Sequence, residues 1–292
     1  MDFSYDETQR VIAQVTSDVL ANAGDDPWKA LGEAGMLSLA VPQWLGGEGL
    51  GLPEVAVVLT EIGRRATDVP ALSMLAMGVL PVATFAPKDV QAELLDNREL
   101  TGVLGKMSYR DGGISGVSQS PCAATAYRLL VQVGPRIAVV DPGGDGAVVS
   151  PDGVVRLDGA VPVAVFDGDL RRFAIAGVCA MGDGLLRGAL ELTAAHVAQR
   201  KQFGRPLAAF QAVAQQIADV YIASRTMHLA ALAACLNAED VAVAAAWLAR
   251  EGPPAMRTCH HLHGGLGLDV SYPLHRYSAM LRKLVGHVHR AY

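Results

Sequence analysis

The stretch AQRKQFGRPLAAFQ (198–211) gathers basic, amide and aromatic side chains around a predicted chain reversal. A basic pair suits the C-terminus of a helix, Gly204 is typical of its stop, and Pro206 is typical of the first turn of the next helix. These structural roles explain Arg200, but they leave four side chains without a reason to be there: Gln202, Phe203, Phe210 and Gln211. We therefore interpret the stretch as part of a binding site.

Histidines near the C-terminus offer two further kinds of chemistry. Imidazole can act as a general base near pH 7, and His287 and His289 lie in the stretch HVHRAY. The alternative, which we favour, is that both are exposed on a polar tail. The cluster of His260, His261 and His263 invites a metal site, since residues 260 and 263 share a helix face. No carboxylate stands beside this cluster in sequence, so we favour a structural role over a metal site.

Composition excludes several classes of protein. The chain has 292 residues, of which 51% are hydrophobic and 18% charged, which predicts a large folded core. The net charge is −5 without any basic block, which argues against a nucleic-acid partner. The most apolar segment (71–85) is shorter than the ~20 residues of a membrane span and contains Pro81. Four cysteines without CxxC spacing, and an N-terminus unlike a signal peptide, predict a cytoplasmic location.

The chain divides into three parts by pattern. Residues 1–99 show helical periodicity, residues 100–166 contain short β-branched runs separated by turns, and residues 167–292 return to helical periodicity. The pattern predicts a mainly α fold with a reduced, antiparallel central β-domain between two helical domains. The glycine pattern GGEGLG (46–51) imitates a dinucleotide-binding turn, but it follows no predicted strand, so we interpret it as a helix–helix loop.

Local signals predict the ends of several helices. Ser4 and Glu7 fit a capping box before the first helix. Asp169 can cap a long helix that runs to Arg200, and Pro206 is predicted to open the next helix. Three further helices are expected at 239–251, 253–263 and 270–285. Together the C-terminal helices predict a bundle.

The order of the three parts and three of the motifs resemble the acyl-CoA dehydrogenase family. The motifs read LGEAGMLSLAVPQWLGGEGLG, RKQFGRPLAAFQAVAQQIAD and HLHGGLGLDVSYPLHRY, in the order in which they occur. The resemblance covers both helical parts, about three-quarters of the chain. It implies a flavoprotein that binds FAD, α,β-dehydrogenation of an acyl-CoA substrate, and transfer of the electrons to an electron-transfer flavoprotein.

The resemblance also implies roles for individual residues. By this match Arg200 reaches the FAD pyrophosphate of a neighbouring subunit, because a fixed guanidinium binds phosphate through two hydrogen bonds. His261 stands where the family has a Gln. The remaining cofactor-binding residues implied by the match are Gln202 and Phe203 beside the cofactor, Phe210 and Gln211 on the next helix, and Gly264 and Gly265 against the adenosine part.

The sequence departs from the family where the catalytic base should stand. The two positions that carry the family's Glu align near Val288 and Ala174, and neither is a carboxylate. The stretches that hold the flavin ring (TEP…GSD and a WIT-like stretch) are missing from residues 100–166. The chain therefore resembles the short, non-catalytic subunit of actinobacterial heteromeric acyl-CoA dehydrogenases, which act on steroid side-chain CoA thioesters.

That resemblance implies an α2β2 heterotetramer in which a full-length acyl-CoA dehydrogenase subunit supplies the Glu. A shortened subunit would also leave room for a bulky substrate. Two alternatives stay open. One is a standalone flavoprotein that uses His287 or His289 as an unusual base, and the other is a scaffold subunit without a cofactor.

Overall fold

The computed structural model describes residues 4–96, 99–120 and 122–292 of the chain. The N-terminal part is helical. Its elements are α1 (Glu7–Asn22), α2 (Pro27–Glu33), a 3-10 turn (Gln43–Leu45), α3 (Leu52–Arg64), a π-helical segment (Leu72–Val79), α4 (Leu80–Phe85) and α5 (Lys88–Leu94). The glycine pattern at 46–51 lies in the loop before α3, as expected.

The start of α1 differs in detail from the expectation. Asp6 and Gln9 form the capping box, rather than Ser4 and Glu7. The Gln9 N–H donates to Asp6 Oδ1 at 2.8 Å, and the Asp6 N–H donates to Gln9 Oε1 at 3.4 Å. Because the helix begins at Glu7, the N-cap is residue 6, where a carboxylate also interacts with the positive end of the helix dipole.

Eight strands follow. They are β1 (Leu100–Val103), β2 (Ser108–Arg110), β3 (Gly113–Gln119), β4 (Arg128–Val133), β5 (Arg136–Val140), β6 (Ala147–Val149), β7 (Val154–Ala160) and β8 (Ala164–Asp167). They form two four-stranded sheets in the orders β1-β4-β5-β8 and β2-β3-β7-β6. The expectation of an antiparallel domain is wrong for one pair: β1 runs parallel to β4, because the chain passes through β2 and β3 between them instead of turning in a hairpin.

The C-terminal part is again helical. Its elements are α6 (Leu170–Gln199), β9 (Lys201–Gln202), β10 (Arg205–Pro206), a 3-10 turn (Leu207–Ala209), α7 (Gln211–Leu236), a 3-10 turn (Ala238–Asp240), α8 (Val241–His263), a 3-10 turn (Gly264–Leu268) and α9 (Leu274–Ala291). The Arg172 N–H donates to Asp169 Oδ1 at 3.0 Å, which confirms Asp169 as the cap of α6. The predicted mainly α fold with a small β middle part is confirmed. The domain bounds at 99 and 166 stay a prediction.

Two of the predicted helix boundaries are wrong. The stretches 239–251 and 253–263 form one helix, α8, with Pro253 and Pro254 inside it. A proline inside a helix costs about 3 kcal/mol, and the packing of α8 along α7 offsets this cost. The last helix begins at Leu274 rather than 270 and continues to Ala291.

The chain folds into two compact units, which we describe separately. The sheet unit comprises Ala23–Val55, Val69–Gly177 and His289–Tyr292. In this unit the π-helical segment crosses β1 at very short range, since a methyl group on Gly78 would lie 2.8 Å from the Leu100 Cβ atom. The absence of a side chain at this crossing allows helix and strand to meet almost at their backbones.

The bundle unit comprises the N-terminal residues to Asn22, Ala56–Asp68 and Val178–Val288. Within it α3 lies directly on α6. A methyl group on Gly184 would stand 2.0 Å from the Thr60 carbonyl oxygen, and one on Gly188 would stand 2.0 Å from the Arg64 carbonyl oxygen. These two glycines of α6 carry the contact with α3.

An ion-pair network borders the glycine contact. Glu61 is only 4% exposed, and its carboxylate accepts a hydrogen bond from Arg187 and lies 3.5 Å from Arg64 Nη1. Arg64 Nε also donates to Glu191 at 3.0 Å. The network therefore joins α3 to α6 with charged groups on both helices, and the buried carboxylate depends on the two arginines.

One helix in the described part of the chain, Leu170–Gln199, is long and apolar enough to cross a membrane. In this structure, however, 89% of its most apolar window is buried inside the protein. We therefore interpret this helix, α6, as a core helix.

The glycine contact gives a direct test of the packing of α3 on α6. We expect Gly184→Ala to lower the free energy of unfolding by roughly 1–3 kcal/mol or more, because the new methyl group meets a backbone carbonyl that cannot move aside. The matched control is Gly32→Ala in α2, where the nearest atom is a Leu37 methyl group at 3.4 Å. That exchange should be neutral or stabilising, and equal unfolding curves in urea for the two variants would contradict the contact.

Candidate functional site

The stretch after α6 forms a tight β-hairpin rather than a simple helix stop. Gln202 pairs with Arg205 and Lys201 pairs with Pro206 across a two-residue turn. Phe203 and Gly204 at the turn have φ of 51° and 80°, as a type I′ hairpin requires. Gly204 suits this backbone, whereas a bulky side chain at Phe203 is strained there.

The residues after the hairpin correct the sequence-based expectation. Pro206 belongs to β10 and precedes a 3-10 turn, so it does not open α7. The helix begins at Gln211, and Phe210 before it is extended with φ −91° and ψ 128°. Phe210 was expected on the helix. It is the N-cap residue instead, because the 3-10 turn Leu207–Ala209 directly precedes it and α7 begins only at Gln211.

Aromatic and cationic groups cover the face of the hairpin. The Phe203 side chain is 93% exposed, and its ring centroid lies 6.3 Å from that of Phe210 in an edge-to-face arrangement. The Arg205 guanidinium lies 4.1 Å from the Phe210 ring centroid, a distance typical of a cation–π contact. An apolar ring that is held out on a strained backbone is available to a ligand or a partner.

Arg200 lies at the base of the hairpin. Its N–H donates to the His196 carbonyl oxygen, and its own carbonyl oxygen accepts from the Leu207 N–H, both at 2.9 Å. The side chain is exposed, and within the described ranges no carboxylate forms an ion pair with it. A guanidinium on a fixed backbone without an acidic partner can bind an anionic ligand.

The end of α8 forms an open glycine turn. Gly264 has φ 57° and ψ −135°, a backbone conformation that is essentially restricted to glycine. A methyl group on either Gly264 or Gly265 would have no atom within 4 Å. The space in front of the turn is therefore free for a ligand. His261 is exposed beside it, and the imidazole of His260 holds the turn by donating from Nδ1 to the Gly267 carbonyl oxygen at 2.9 Å.

A pair of stacked imidazoles connects the ends of α6 and α8. The ring centroids of His196 and His263 lie 4.5 Å apart at an interplanar angle of 20°. Arg200 follows His196 by one helical turn, and Gly264 follows His263 directly. The predicted site residues on the two motifs therefore lie at one end of the bundle unit, with Gln211 at the start of α7 after the hairpin.

Burial lowers the pKa of both stacked histidines. For His196 the desolvation of the imidazolium is the larger cause, and the charge of Arg200 adds to it. For His263 desolvation is again the main cause, and His196 and His260 lower the pKa further. Both rings are therefore neutral at pH 7 in the chain by itself.

Sequence reasoning missed His196 and Tyr272. The Tyr272 hydroxyl lies 3.1 Å from His263 Nε2. A signal for His196 was present, because it precedes Arg200 by four residues and so shares its helix face. Nothing in the sequence indicated Tyr272.

The C-terminal histidines differ from each other. His287 is only 5% exposed on α9, so the expected exposure on a polar tail is wrong for it, while His289 is exposed. The difference arises because α9 continues through both residues and turns them to different faces. Among the described residues no group of three or more His, Cys, Asp or Glu side chains can hold a metal ion.

Comparison with known proteins identifies the family. Residues 170–284 match the acyl-CoA dehydrogenase C-terminal domain, and residues 2–97 match the acyl-CoA dehydrogenase N-terminal domain. The chain belongs to the acyl-CoA dehydrogenase family. Solved structures with this fold include a glutaryl-CoA dehydrogenase from Mycobacterium smegmatis in complex with FADH2 and an FAD complex of PigA, at 16% and 15% identity.

Individual relatives place the chain more closely. It is 39% identical to acyl-CoA dehydrogenase FadE28 of Mycobacterium tuberculosis, over 97% of this chain and 94% of that protein. Its fold matches a chain of the ChsE4–ChsE5 complex from Mycobacterium tuberculosis with a TM-score of 0.86 and 26% identity, over 100% and 96% of the two chains. It also matches a chain of the Tcur3481–Tcur3483 steroid acyl-CoA dehydrogenase G363A variant (TM-score 0.80, 28% identity, 98% and 93%). These matches confirm the resemblance to the short heteromeric subunit.

The stacked histidines predict a loss of stability in acid. A histidine whose pKa is lowered on folding contributes stability that is present above the unfolded value of 6.5 and is lost as pH falls through the folded value. We expect His196→Phe, which keeps a ring but does not titrate, to reduce this loss. Urea unfolding at pH 7.5 and 5.5 measures it. The exposed His289→Phe serves as the control and should leave the pH dependence unchanged.

Proposed function

We propose that this chain is a non-catalytic, half-site subunit of a heteromeric FAD-dependent acyl-CoA dehydrogenase, assembled as an α2β2 heterotetramer with a full-length subunit of the same family. One observation carries the proposal. The hairpin of Arg200 and the open turn at Gly264 lie at one end of the bundle, yet both positions for the catalytic Glu hold aliphatic side chains.

The residues present fit one part of FAD. An exposed Arg200 without an acidic partner suits the diphosphate, and the space in front of Gly264 and Gly265 suits the adenosine part. Gln202, Phe203, Phe210, Gln211 and His261 complete the proposed set of contacts. The flavin ring contributes the hydride chemistry when FAD is bound, and this chain holds the phosphate end.

Neither of the two positions that carry the family's Glu offers a base for that chemistry. Ala174 is fully buried in α6 and Val288 is 5% exposed on α9. Removal of an α-proton from an acyl thioester requires a group that accepts a proton close to the reacting carbon. We infer that the partner subunit supplies the Glu and the flavin-ring contacts.

Our proposal for the substrate is supported by a heteromeric relative, and our proposal for the electron acceptor rests on the family resemblance. One of them is described as a steroid acyl-CoA dehydrogenase, which supports a bulky, steroid side-chain acyl-CoA as the substrate and a 2-enoyl-CoA as the product. Electrons would leave through an electron-transfer flavoprotein. We place the complex in the cytoplasm, in a pathway of steroid side-chain breakdown such as cholesterol catabolism.

The decisive experiment is to purify the chain alone and together with the acyl-CoA dehydrogenase encoded beside it, and to record the visible spectrum. We expect no flavin bands for the chain alone and stoichiometric flavin in the complex. A yellow protein from the chain alone would overturn the shared site and favour the standalone flavoprotein. A partner subunit that binds stoichiometric flavin by itself, without this chain, would favour the cofactor-free scaffold.

Removal of the proposed phosphate ligand tests the site assignment. We expect Arg200→Ala in the assembled complex to weaken FAD binding roughly 10- to 150-fold, since hydrogen bonds to charged groups contribute about 1.5–3 kcal/mol. Fluorescence titration of the deflavinated complex with FAD measures this. Arg282→Ala removes an exposed cation of α9 as a matched control, and equal affinities for both variants would contradict the assignment.

The C-terminal histidines test the origin of the base. If the partner supplies the Glu, His289→Gln and His287→Gln complexes should both retain turnover, with the buried His287 exchange lowering stability rather than rate. Steady-state dehydrogenation together with a melting curve separates the two effects. A folded His289→Gln or His287→Gln complex that binds FAD but has lost turnover would favour the standalone-base alternative.

A further inference from the structure

The stacked histidines lie beside both parts of the proposed half-site, Arg200 and the Gly264–Gly265 turn. His196 is in the last turn of α6, and His263 is the last residue of α8. Their rings stack at 4.5 Å. An α-helix rises 1.5 Å per residue, so Arg200 stands only about 6 Å further along the axis than His196. Gly264 is bonded directly to His263, so the stack separates the two halves of the site.

The hydrogen bonds of His263 determine its tautomer. Nδ1 lies 2.8 Å from the Cys259 carbonyl oxygen, which can only accept, so Nδ1 carries the proton. In the neutral ring Nε2 then accepts from the Tyr272 hydroxyl at 3.1 Å. Both nitrogens are satisfied, and the ring is fixed in its plane against His196.

His196 is in a different situation. Its ring nitrogens form no hydrogen bond within the described part of the chain, its ring stacks on that of His263, and desolvation together with the charge of Arg200 lowers its pKa. The titratable and charged groups around the pair are Arg200 on α6, His260 and His263 on α8, and Tyr272 after the glycine turn. None of them is an acid that would hold a proton on His196, whereas an incoming phosphate would supply that negative charge.

We propose that the His196–His263 stack is a positioning unit for the diphosphate of FAD, which sets the spacing of Arg200 and the Gly264–Gly265 turn and in which His196 takes up a proton from solvent as the diphosphate binds. The inference rests on the proposed function, since it concerns the same half-site. His196 and His263 act through Arg200 and the turn and are positioning residues. They are not catalytic.

Proton uptake gives the pair a signature that packing alone would not give. Desolvation is the larger cause of the lowered pKa of His196 and the charge of Arg200 is the second, and a diphosphate beside Arg200 offsets this second cause. By linkage, the affinity for FAD then rises as pH falls, by up to about tenfold per pH unit between the pKa of the free and the bound state. A ring that only fills space would leave the affinity independent of pH.

The test measures FAD affinity of the deflavinated heteromeric complex by fluorescence titration from pH 6 to 8.5. The wild-type complex should bind FAD more tightly as pH falls. His196→Phe keeps a stacked ring but cannot take up a proton, so it should lose the pH dependence. His196→Ala removes the stack, so its affinity at pH 8.5 should fall further than that of His196→Phe, by about tenfold or more. His289→Phe should follow the wild type.

Each outcome bears on one claim. A His196→Phe complex with the wild-type pH profile overturns proton uptake, and a His196→Ala complex with unchanged affinity at every pH overturns the positioning role. Arg200→Ala is measured in parallel to distinguish a failure of the proposed function from a failure of the further inference. If Arg200→Ala does not weaken binding, the proposed function fails. If it weakens binding while both His196 variants behave as the wild type, only the further inference fails.

Discussion

The backbone contact between α3 and α6 is the constraint on which the geometry of the bundle unit depends. At Gly184 and Gly188 the two helices meet almost at their backbones. Protein interiors are densely packed, so a contact at this range leaves little freedom for α6 to shift or rotate. Because α6 continues to Gln199, the contact also fixes the direction in which Arg200 leaves the helix. If the proposed half-site contacts a second subunit, the fixed position of α6 would hold Arg200 in place for that contact.

The charged residues beside the glycines reinforce the same arrangement. Glu61 is almost completely buried, and a buried carboxylate without partners would be strongly destabilising. Arg64 follows Glu61 by three residues on the same helix, whereas Arg187 on α6 reaches the carboxylate only when the two helices are in this register. A shift of one helix turn would separate the charges and also bring backbone carbonyls against larger side chains. Shape and charge therefore select one register together.

The sequence predicts those structural features whose cause lies in residues close along the chain. Asp169 is recognised as a cap because its partner, the Arg172 N–H, is three residues away. The parallel pairing of β1 with β4 depends on strands 28 residues apart in register, and no local pattern encodes it. Pro253 and Pro254 read as a helix break, but packing of α8 against its neighbours outweighs the local preference. In the site, the motifs indicated a chain reversal after α6 and a glycine turn after α8, but not the hairpin. The histidine stack exists only because α6 and α8 converge.

The strained hairpin supports the proposed site across a subunit interface. Phe203 adopts a left-handed backbone conformation that costs about 1–3 kcal/mol, and its side chain is almost fully exposed. Within the hairpin itself, no interaction offsets the free-energy cost of the strained backbone or of the ring exposed to water. If the partner subunit covers the ring and completes the cofactor site, burial of an aromatic side chain offsets both terms. In the proposed complex, assembly would offset the strain of the hairpin, and a subunit that supplies no catalytic base would still contribute to cofactor binding.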